Sequence, residues 1–408
     1  LKAEFNIQDG LYQVEKFLDK IYVLGKDGFI RVFGIRLDNP SNLNLTLSHG
    51  TLEEKSYTYK VVAYNGTSEY KRTLPSQSKI IQVQSLLPPT NINISNCKGT
   101  LSEGEYVYKI TSLRDTEGES LPSEEQEYVL EAVPAPSVIL EKLEGKGNIP
   151  AETYTYAVSG VIKYENGEAE TEYGEEEIEV QTGDAVKVKI VVPDPSQYTK
   201  FRIYCKASYQ SSFWLIKEVS YTEWVDDYNN RDYVYQQPPS VNNTIGIKIT
   251  WEIPEQECYG YRVYKLVGED FKLLTTITDK NQNYFYDDGS ITPEDITPPT
   301  TDNTRGVRIE WDEVAGSVGY EIYRDDEFIG RTADNYFIDT GLTSSPIPSL
   351  PTANDSEPFI VYLNEMPNSL NVPLNAVSFK FFKDRLWIAD KNNVYFSDNL
   401  IFNKFQPE

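Results

Sequence analysis

The sequence predicts an all-β protein built from several small antiparallel modules. Tyr, Phe and Trp make up 13% of a chain in which only 39% of the residues are hydrophobic. Such side chains suit half-buried pleated surfaces, because each aromatic ring covers a large area of a thin core. Segments of alternating polarity recur along the chain, and turns that contain Gly separate them. Long amphipathic helical patterns are absent from the sequence.

Length and charge limit the organisation of the chain and its partners. A chain of 408 residues is too long for one hydrophobic core, so we expect several domains. The formal net charge of −25 argues against a nucleic-acid-binding face, which requires clustered Lys and Arg. This charge fits either simple solubility or a surface past which DNA slides without sticking. The sequence has no apolar run as long as a membrane span and no signal peptide. It does not begin with Met, so we expect a processed product or part of a longer chain.

A first kind of repeat is centred on a Tyr-x-Tyr strand that leads to a turn containing Gly. Its copies are Tyr57-Thr58-Tyr59-Lys60-Val61, Tyr106-Val107-Tyr108-Lys109-Ile110 and Tyr154-Thr155-Tyr156-Ala157-Val158. Two of the copies end in Leu-Pro-Ser, at 74–76 and 121–123. We interpret 39–86 and 87–133 as β half-modules, because each is about half as long as a two-sheet module.

A second kind of repeat follows. Its core is an aromatic residue, any one residue, Ile or Val, and then Tyr. Its copies are Phe201-Arg202-Ile203-Tyr204-Cys205, Tyr261-Arg262-Val263-Tyr264-Lys265 and Tyr320-Glu321-Ile322-Tyr323-Arg324. An alternating strand precedes each copy, such as 247–251 (IKITW), which indicates one buried and one solvated face. Each copy closes on an aromatic residue followed by acid, at 224–227, 286–288 and 337–339.

This second pattern resembles the fibronectin type III β-sandwich, in which a strand ending in Trp precedes Gly-Tyr-x-Ile/Val-Tyr-Arg/Lys. Here Trp251 precedes 260–265 (GYRVYK), and Trp311 precedes 319–324 (GYEIYR). The resemblance is clearest over 240–345 and extends in degenerate form over 39–238. It implies that 134–238, 239–298 and 299–350 are fibronectin III-like modules. The family shares a packing motif and no catalytic site, so a spacer or binding role is implied.

The order of the repeats leaves two arrangements open. The third copy of the first kind and the first copy of the second kind together fill 134–238, which is long enough for one sandwich. The flanking copies either pair across this sandwich as nested insertions or form small serial sandwiches. A contact between residues near Tyr59 and residues near Tyr323 would support nesting.

The two ends of the chain carry a third pattern. Residues 17–23 (FLDKIYV) match residues 382–388 (FKDRLWI), and each segment leads through a turn with Lys to another strand. Such hairpins are typical of propeller-like sheets. We therefore expect 1–38 and 351–408 to be propeller-like segments of one domain that the sandwiches interrupt. The alternative is two unrelated hairpins that share common β-chemistry.

The C-terminal stretch also resembles the tail nozzle proteins of short-tailed phages. The likeness rests on 379–388 (FKFFKDRLWI), 393–398 (NVYFSD) and 402–405 (FNKF). It implies a structural virion protein that forms a homo-oligomeric ring, commonly a hexamer, around the channel through which the genome leaves. Other tail proteins and the host surface would be its partners, and DNA would pass without sequence-specific binding. The alternatives are a bacterial surface adhesin or cell-wall-associated protein with fibronectin-like spacers, and an accessory region of a polysaccharide-degrading enzyme.

No catalytic, cofactor-binding or metal site is predicted. The one histidine, His49, lies in a Ser-His-Gly segment that indicates a turn, and a single His excludes a multi-His zinc site. Cys97, Cys205 and Cys258 lack CxxC spacing and allow at most one disulfide within the chain.

Acidic residues are abundant, and two groups of them stand out. We interpret the first as the solvated face of a hairpin, with cation binding and catalysis as alternatives. It consists of Glu165, Glu168, Glu170, Glu172, Glu175, Glu176, Glu177 and Glu179. The second group, Asp226-Asp227 and Asp287-Asp288, recurs at one point of the repeat, which favours a turn role over calcium binding.

Overall fold

The computed structural model describes residues 11–17, 20–34, 36–65, 71–356, 359–365, 372–383, 385–398 and 401–405. Their regular structure consists of strands and two single 3₁₀ turns, Pro195–Gln197 and Leu363–Glu365, which confirms the predicted all-β class. Within these ranges no helix is long and apolar enough to cross a membrane. Leu18, Asp19, Gly66 and Asp384, which belong to the sequence motifs, lie outside the described residues.

The strands follow one another in chain order. The first two repeats and the segment before them contain β1 (Leu11–Phe17), β2 (Lys20–Gly25), β3 (Ile30–Gly34), β4 (Asn44–Ser48), β5 (Gly50–Thr51), β6 (Ser56–Asn65), β7 (Lys71–Arg72), β8 (Lys79–Gln82), β9 (Thr90–Cys97), β10 (Gly99–Thr100), β11 (Gly104–Leu113) and β12 (Gln126–Leu130). Residues 134–238 contain β13 (Ser137–Leu143), β14 (Glu152–Tyr164), β15 (Gly167–Val180), β16 (Ala185–Val191), β17 (Lys200–Ala207), β18 (Trp214–Val219) and β19 (Glu223–Asp226).

The later strands complete the list. They are β20 (Thr244–Glu252), β21 (Gly260–Val267), β22 (Asp270–Ile277), β23 (Tyr284–Asp287), β24 (Thr304–Glu310), β25 (Gly319–Arg324), β26 (Glu327–Thr332), β27 (Tyr336–Asp339), β28 (Phe359–Tyr362), β29 (Ser378–Phe382), β30 (Arg385–Ala389), β31 (Val394–Asp398) and β32 (Ile401–Phe405). The chain divides into two compact units, one of 1–85 with 302–408 and one of 86–301.

The inner module, residues 134–238, lies in the second unit and is continuous in sequence. One sheet has the order β13-β16-β19 and the other the order β15-β14-β17-β18. Both contribute to one core, in which Tyr156, Phe201 and Trp224 are buried. The alternating strand around Val188 turns its apolar side to this core, as its period of two residues predicts.

The middle module, also in the second unit, is assembled from two separate segments, 87–133 and 239–298. In one of its sheets β11 pairs with β21, where Ile110 lies opposite Val263. In the other sheet both β9 and β10 pair with β20. Trp251 and Tyr261 pack edge to face in its core, with ring centroids 5.2 Å apart.

The outer module is assembled in the same way from 39–85 and 302–350, which belong to the first unit. Its β6 pairs with β25, so that Tyr59 lies opposite Arg324 and Lys60 opposite Tyr323. This register supplies the contact that nesting requires, and it excludes serial sandwiches. Segments 239–298 and 299–350 were expected to be modules, but each is only half of one. Their strands β21 and β25 pair with β11 and β6, which belong to first-kind repeats.

The two chain ends form a pair of four-stranded antiparallel sheets in the first unit. Their orders are β1-β2-β3-β28 and β29-β30-β31-β32. They share one core, with Leu24 and Val32 from the first sheet and Phe379 and Ile388 from the second. The amide group of Gln13 joins the sheets, because its Nε2 donates to the oxygen of Phe379 at 2.5 Å and its Oε1 accepts from the nitrogen of Phe379 at 3.1 Å.

The Leu-Pro-Ser segments have a local structural role. Proline has no backbone N–H to donate, so a regular ladder cannot continue through it. The serine that follows restores the pairing, since Ser76 N donates to Val61 O at 2.8 Å and Ser76 Oγ accepts from Val61 N at 3.1 Å. Ser123 repeats the arrangement with Ile110, at 2.9 and 3.0 Å. The motif thus fixes a short irregular edge beside the Tyr-x-Tyr strand.

Candidate functional site

Each module buries a tyrosine hydroxyl against a carboxylate at the same point of the repeat. The tyrosine comes from the first-kind strand, and the aspartate ends the closing strand of the second kind. The three bonds run from Tyr156 to Asp226 at 2.6 Å, from Tyr108 to Asp287 at 2.6 Å and from Tyr59 to Asp339 at 2.8 Å.

A cation completes each of these pairs. Arg231, Lys265 and Arg324 approach the three carboxylates to 2.6, 2.7 and 2.8 Å. Each cation also lies over the first tyrosine of its Tyr-x-Tyr strand, at 5.6, 4.5 and 5.6 Å from the ring centroid. The charges of these aspartates are therefore compensated inside the modules.

Burial, followed by the neighbouring aspartate, raises the pKa of Tyr59 and of Tyr108 far above the ordinary value for tyrosine. Their hydroxyls therefore keep their protons at neutral pH and act as donors to the carboxylates.

The same aspartates hold the turns that follow them, which confirms the predicted turn role. Oδ1 of Asp226, Asp287 and Asp339 accepts from the backbone nitrogen two residues later, at 2.9, 3.3 and 3.0 Å. Within the described residues, no group of three or more His, Cys, Asp or Glu side chains could hold a metal ion.

A second buried network joins a glutamate to the tyrosine at the fourth position of each second-kind core. Tyr204 donates to Glu170 at 2.6 Å, and Arg202 contacts the same carboxylate at 2.5 Å. In the middle module Glu119, Tyr264 and Arg262 form the equivalent group, and in the outer module Glu321, Tyr323 and Arg331 do so. The expectation that Glu170 belongs to a solvated face is wrong, because Tyr204 and Arg202 reach it from β17, across the intervening strand β14.

The remaining members of the acidic group are exposed, as predicted: Glu165, Glu168, Glu172, Glu175, Glu176, Glu177 and Glu179. Some of them take part in local pairs. Glu168 contacts Lys200 at 3.2 Å and Arg202 at 3.1 Å, and Glu165 is paired with Lys248.

The single histidine and the cysteines occupy structural positions. His49 lies at the bend between β4 and β5 and is half-buried, with its Nδ1 3.5 Å from Ser48 Oγ. Cys97, Cys205 and Cys258 are buried free thiols. Burial raises the pKa of the Cys97 thiol and that of the Cys205 thiol to about 12, so neither is a thiolate at neutral pH.

A cavity of about 350 Å³ on the inner module brings together aromatic side chains that were not predicted to form a site. We call it the tyrosine pocket and define it by Tyr154, Tyr209, Trp214, Tyr228, Arg231 and Tyr233. Strands β14, β17 and β18 supply its base, and the chain after β17 and after β19 supplies its walls. The signal in the sequence was the density of tyrosine, because 198–235 contain seven of them.

The outer module has a cavity of about 310 Å³ at the corresponding place, but its lining is different. In this cavity Tyr57 occupies the position of Tyr154, and Arg324 occupies the position of Cys205. The remaining lining is rich in charge, including Glu53, Lys55 and Asp325. The outer module therefore does not share the aromatic lining of the tyrosine pocket. No protein-family model matches the chain, and no curated protein matches its sequence.

Proposed function

We propose that the chain is a structural component of a phage tail of the nozzle type. In this proposal it assembles into a homo-oligomeric ring, acts without enzymatic chemistry and contributes to a channel for genome delivery. Its location is the virion, outside the host cell. The observation that carries the proposal is the pair of matched four-stranded sheets that the two chain ends build around one core. Four-stranded antiparallel sheets of simple order are the unit of radially repeated β-architectures.

The edges of these sheets suggest how copies would join. Gln13 binds the backbone of Phe379, and Glu15 Oε2 accepts from the nitrogen of Phe381 at 3.4 Å, so β1 occupies part of the β29 edge. Among the described strands, β28 and β32 each have one strand partner. A strand edge of this kind can pair with another chain. We therefore assign β28 and β32 to the contacts between neighbouring copies.

The charge of the chain fits a channel component. DNA passing through a ring must not be retained, and a net charge of −25 repels phosphates at low and moderate salt. In this proposal the nested modules are carried by the ring and are available to the host surface or to other tail proteins.

Electron microscopy and mass photometry of the purified full chain test the proposal. We expect closed rings, with six copies as the expected number. In the intact particle we expect gold-labelled antibodies against the inner module to mark the tail. Antibody absorbed beforehand with the same protein is the control. A chain that stays monomeric at every accessible concentration, with no label on the tail, would contradict the proposal.

A second candidate is a bacterial surface adhesin or cell-wall-associated protein that carries the modules as spacers. The tyrosine pocket favours it, because solvent-accessible aromatic side chains around a cavity are typical of recognition sites. The same antibody separates the candidates, since label on the bacterial envelope instead of on a particle would support the adhesin.

A further inference from the structure

One residue of the repeat is exchanged in the lining of the tyrosine pocket. In the middle and outer modules the fifth residue of the second-kind core is Lys265 or Arg324, and it reaches the buried aspartate from its own strand. The inner module has Cys205 at that place, and Arg231 from the loop after β19 supplies the charge instead. Arg231 reaches over the short Cys205 side chain, with its Nη2 3.9 Å from Cys205 Sγ. Both residues line the tyrosine pocket.

The loop that carries Arg231 holds a bulky residue in a conformation that favours glycine. Two residues after the buried aspartate, the middle module has Gly289 at φ +85° and the outer module has Gly341 at φ +103°. The inner module has Tyr228 there, at φ 73°, and Tyr233 follows at φ 49°. Left-handed backbone is unfavourable for such side chains and is concentrated at functional sites. Tyr228 and Tyr233 both line the tyrosine pocket.

Hydrogen bonds keep this loop in one conformation. Asp227 Oδ1 accepts from the nitrogens of Asn229 and Asn230, both at 3.0 Å, and Asn230 Nδ2 donates to Val225 O at 2.7 Å. Arg231 lies 4.9 Å from the ring centroid of Tyr228 and 5.8 Å from that of Tyr233. The pocket is therefore formed in advance of any ligand, which lowers the entropy lost on binding.

The chemistry of the pocket selects an uncharged ligand. In the tyrosine pocket the Arg231 guanidinium already lies 4.9–5.8 Å from the ring centroids of three tyrosines. A cationic ligand would therefore meet a like charge. The Arg231 guanidinium is neutralised by Asp226, and no second cation lines the pocket, so an anion gains little.

The accessible groups are aromatic rings with hydroxyl tips, led by Tyr209 at 77% and Tyr233 at 45% exposure. Gln210 adds an amide donor, since its oxygen already accepts from Ala207 N at 2.9 Å.

We infer that the tyrosine pocket binds an uncharged saccharide. The C–H faces of a sugar ring pack on aromatic rings, and its hydroxyls bond to the tyrosine hydroxyls and to the Gln210 amide. The volume is at the small end of ligand pockets, which span roughly 300–1,000 Å³, and so it suits a terminal sugar unit. The inference does not depend on ring assembly, because the pocket lies within one module.

An array of uncharged di- to hexasaccharides containing glucose, galactose, mannose or N-acetylglucosamine, probed with the purified full chain, tests the inference. We expect a subset to bind. For that subset Tyr209→Ala and Tyr233→Ala should each weaken the affinity at least about tenfold, which corresponds to about 1.4 kcal/mol. Tyr221→Ala is the matched control, because Tyr221 is 55% exposed in the same module and does not line the pocket.

Tyr228→Gly separates binding from folding. Glycine stands at the equivalent place in the other two modules, so this variant should keep the fold and still lose affinity. Binding of no saccharide on the array, or equal affinity in all four variants, would overturn the inference. Binding of proline-rich peptides instead, with the same dependence on Tyr209 and Tyr233, would overturn it in favour of a peptide site.

Discussion

At the scale of single residues, a carboxylate with almost no exposure is stable in each module because two partners share it. A buried charge without partners would cost several kcal/mol. Asp287 receives bonds from Tyr108 and from Lys265, and it also accepts from the backbone of its own turn. The tyrosine is essential to this arrangement, because its hydroxyl reaches the carboxylate across the core.

Tyr108→Phe should lower the local free energy of unfolding of the middle module by about 1.5–3 kcal/mol at pH 7, the usual contribution of a hydrogen bond to a charged group. Native-state hydrogen exchange of the β11 and β21 amides measures this loss. Tyr284→Phe in the same module is the control, and it should change the free energy by less than about 0.5 kcal/mol, because Tyr284 is 42% exposed. Equal effects of both variants would contradict the role of the Tyr108 hydroxyl.

The unmodified chain and the Tyr108→Phe variant should differ in the pH dependence of their stability. The sign of this difference follows from the raised pKa of Tyr108. The unfolded tyrosine ionises near pH 10, whereas burial and Asp287 keep the folded one protonated. This contribution to stability is complete below pH 10 and is lost as the pH rises above it, by about 1.4 kcal/mol per pH unit. The phenylalanine variant lacks this loss. The difference in stability between the two proteins should therefore narrow above pH 10.

At the scale of strands, a serine hydroxyl replaces a backbone carbonyl as the hydrogen-bond acceptor of a strand amide. The Val61 amide lies beside a proline-containing edge, and Ser76 Oγ is its acceptor. Such a bond does not appear in strand periodicity, which reports only the direction of side chains. The repetition of Leu-Pro-Ser was nevertheless visible, and its position after the Tyr-x-Tyr strand is the same in both copies.

Ser76→Ala should destabilise the outer module by about 1–3 kcal/mol, because the buried Val61 amide is left without its acceptor. Hydrogen exchange at Val61 should accelerate accordingly. Ser78→Ala tests the specificity of the effect, since Ser78 is exposed, and it should change little. Unchanged exchange at Val61 in the Ser76 variant would show that another group satisfies this amide.

Much of the fold was predictable from the sequence, because period-two alternation and the Tyr-x-Tyr repeats report local burial. The core positions of Trp251 and Tyr261 follow from that pattern alone. The pairing of Tyr59 with Asp339 does not, since 280 residues separate them. Glu170 was misassigned for a related reason: alternation gives the face of a strand, but long side chains from other strands of the sheet decide whether that face is covered. The lining of the tyrosine pocket includes the exchange at Cys205, whose significance follows only from the position of Lys265 and Arg324 in the other two modules.

At the scale of the whole molecule, the chain enters and leaves the inner module at one place. Val133 N donates to Thr244 Oγ1 at 3.3 Å, and Asn242 Nδ2 donates to Val133 O at 3.2 Å. Two crossings of the chain therefore connect the inner module to the middle one. Two such crossings restrict the rotation of the inner module relative to the middle module more than a single linker between serial domains would.

Fragments should behave according to this topology. Residues 134–238 contain both sheets and the whole core of the inner module, so this fragment should fold alone and unfold cooperatively. Residues 239–298 lack β9, β10, β11 and β12, so this fragment should remain largely unfolded. Addition of residues 87–133 should restore its structure. Circular dichroism and thermal melting of the fragments measure these outcomes, and cooperative melting of 239–298 alone would contradict the nested assembly.

Nesting also imposes an order in time. The buried Tyr–Asp pairs join residues 70, 179 and 280 positions apart along the chain, from the inner module to the outer one. Folding of the inner module brings Val133 close to Thr244 and so shortens the loop that the middle module must close, and the middle module does the same for the outer one. During synthesis, at roughly 5–20 residues per second, Tyr59 waits roughly 15–55 s for Asp339 to emerge. Throughout that interval the half-module that contains Tyr59 exposes unpaired strand edges, so the rate of synthesis sets the least time for which the nascent chain is open to aggregation.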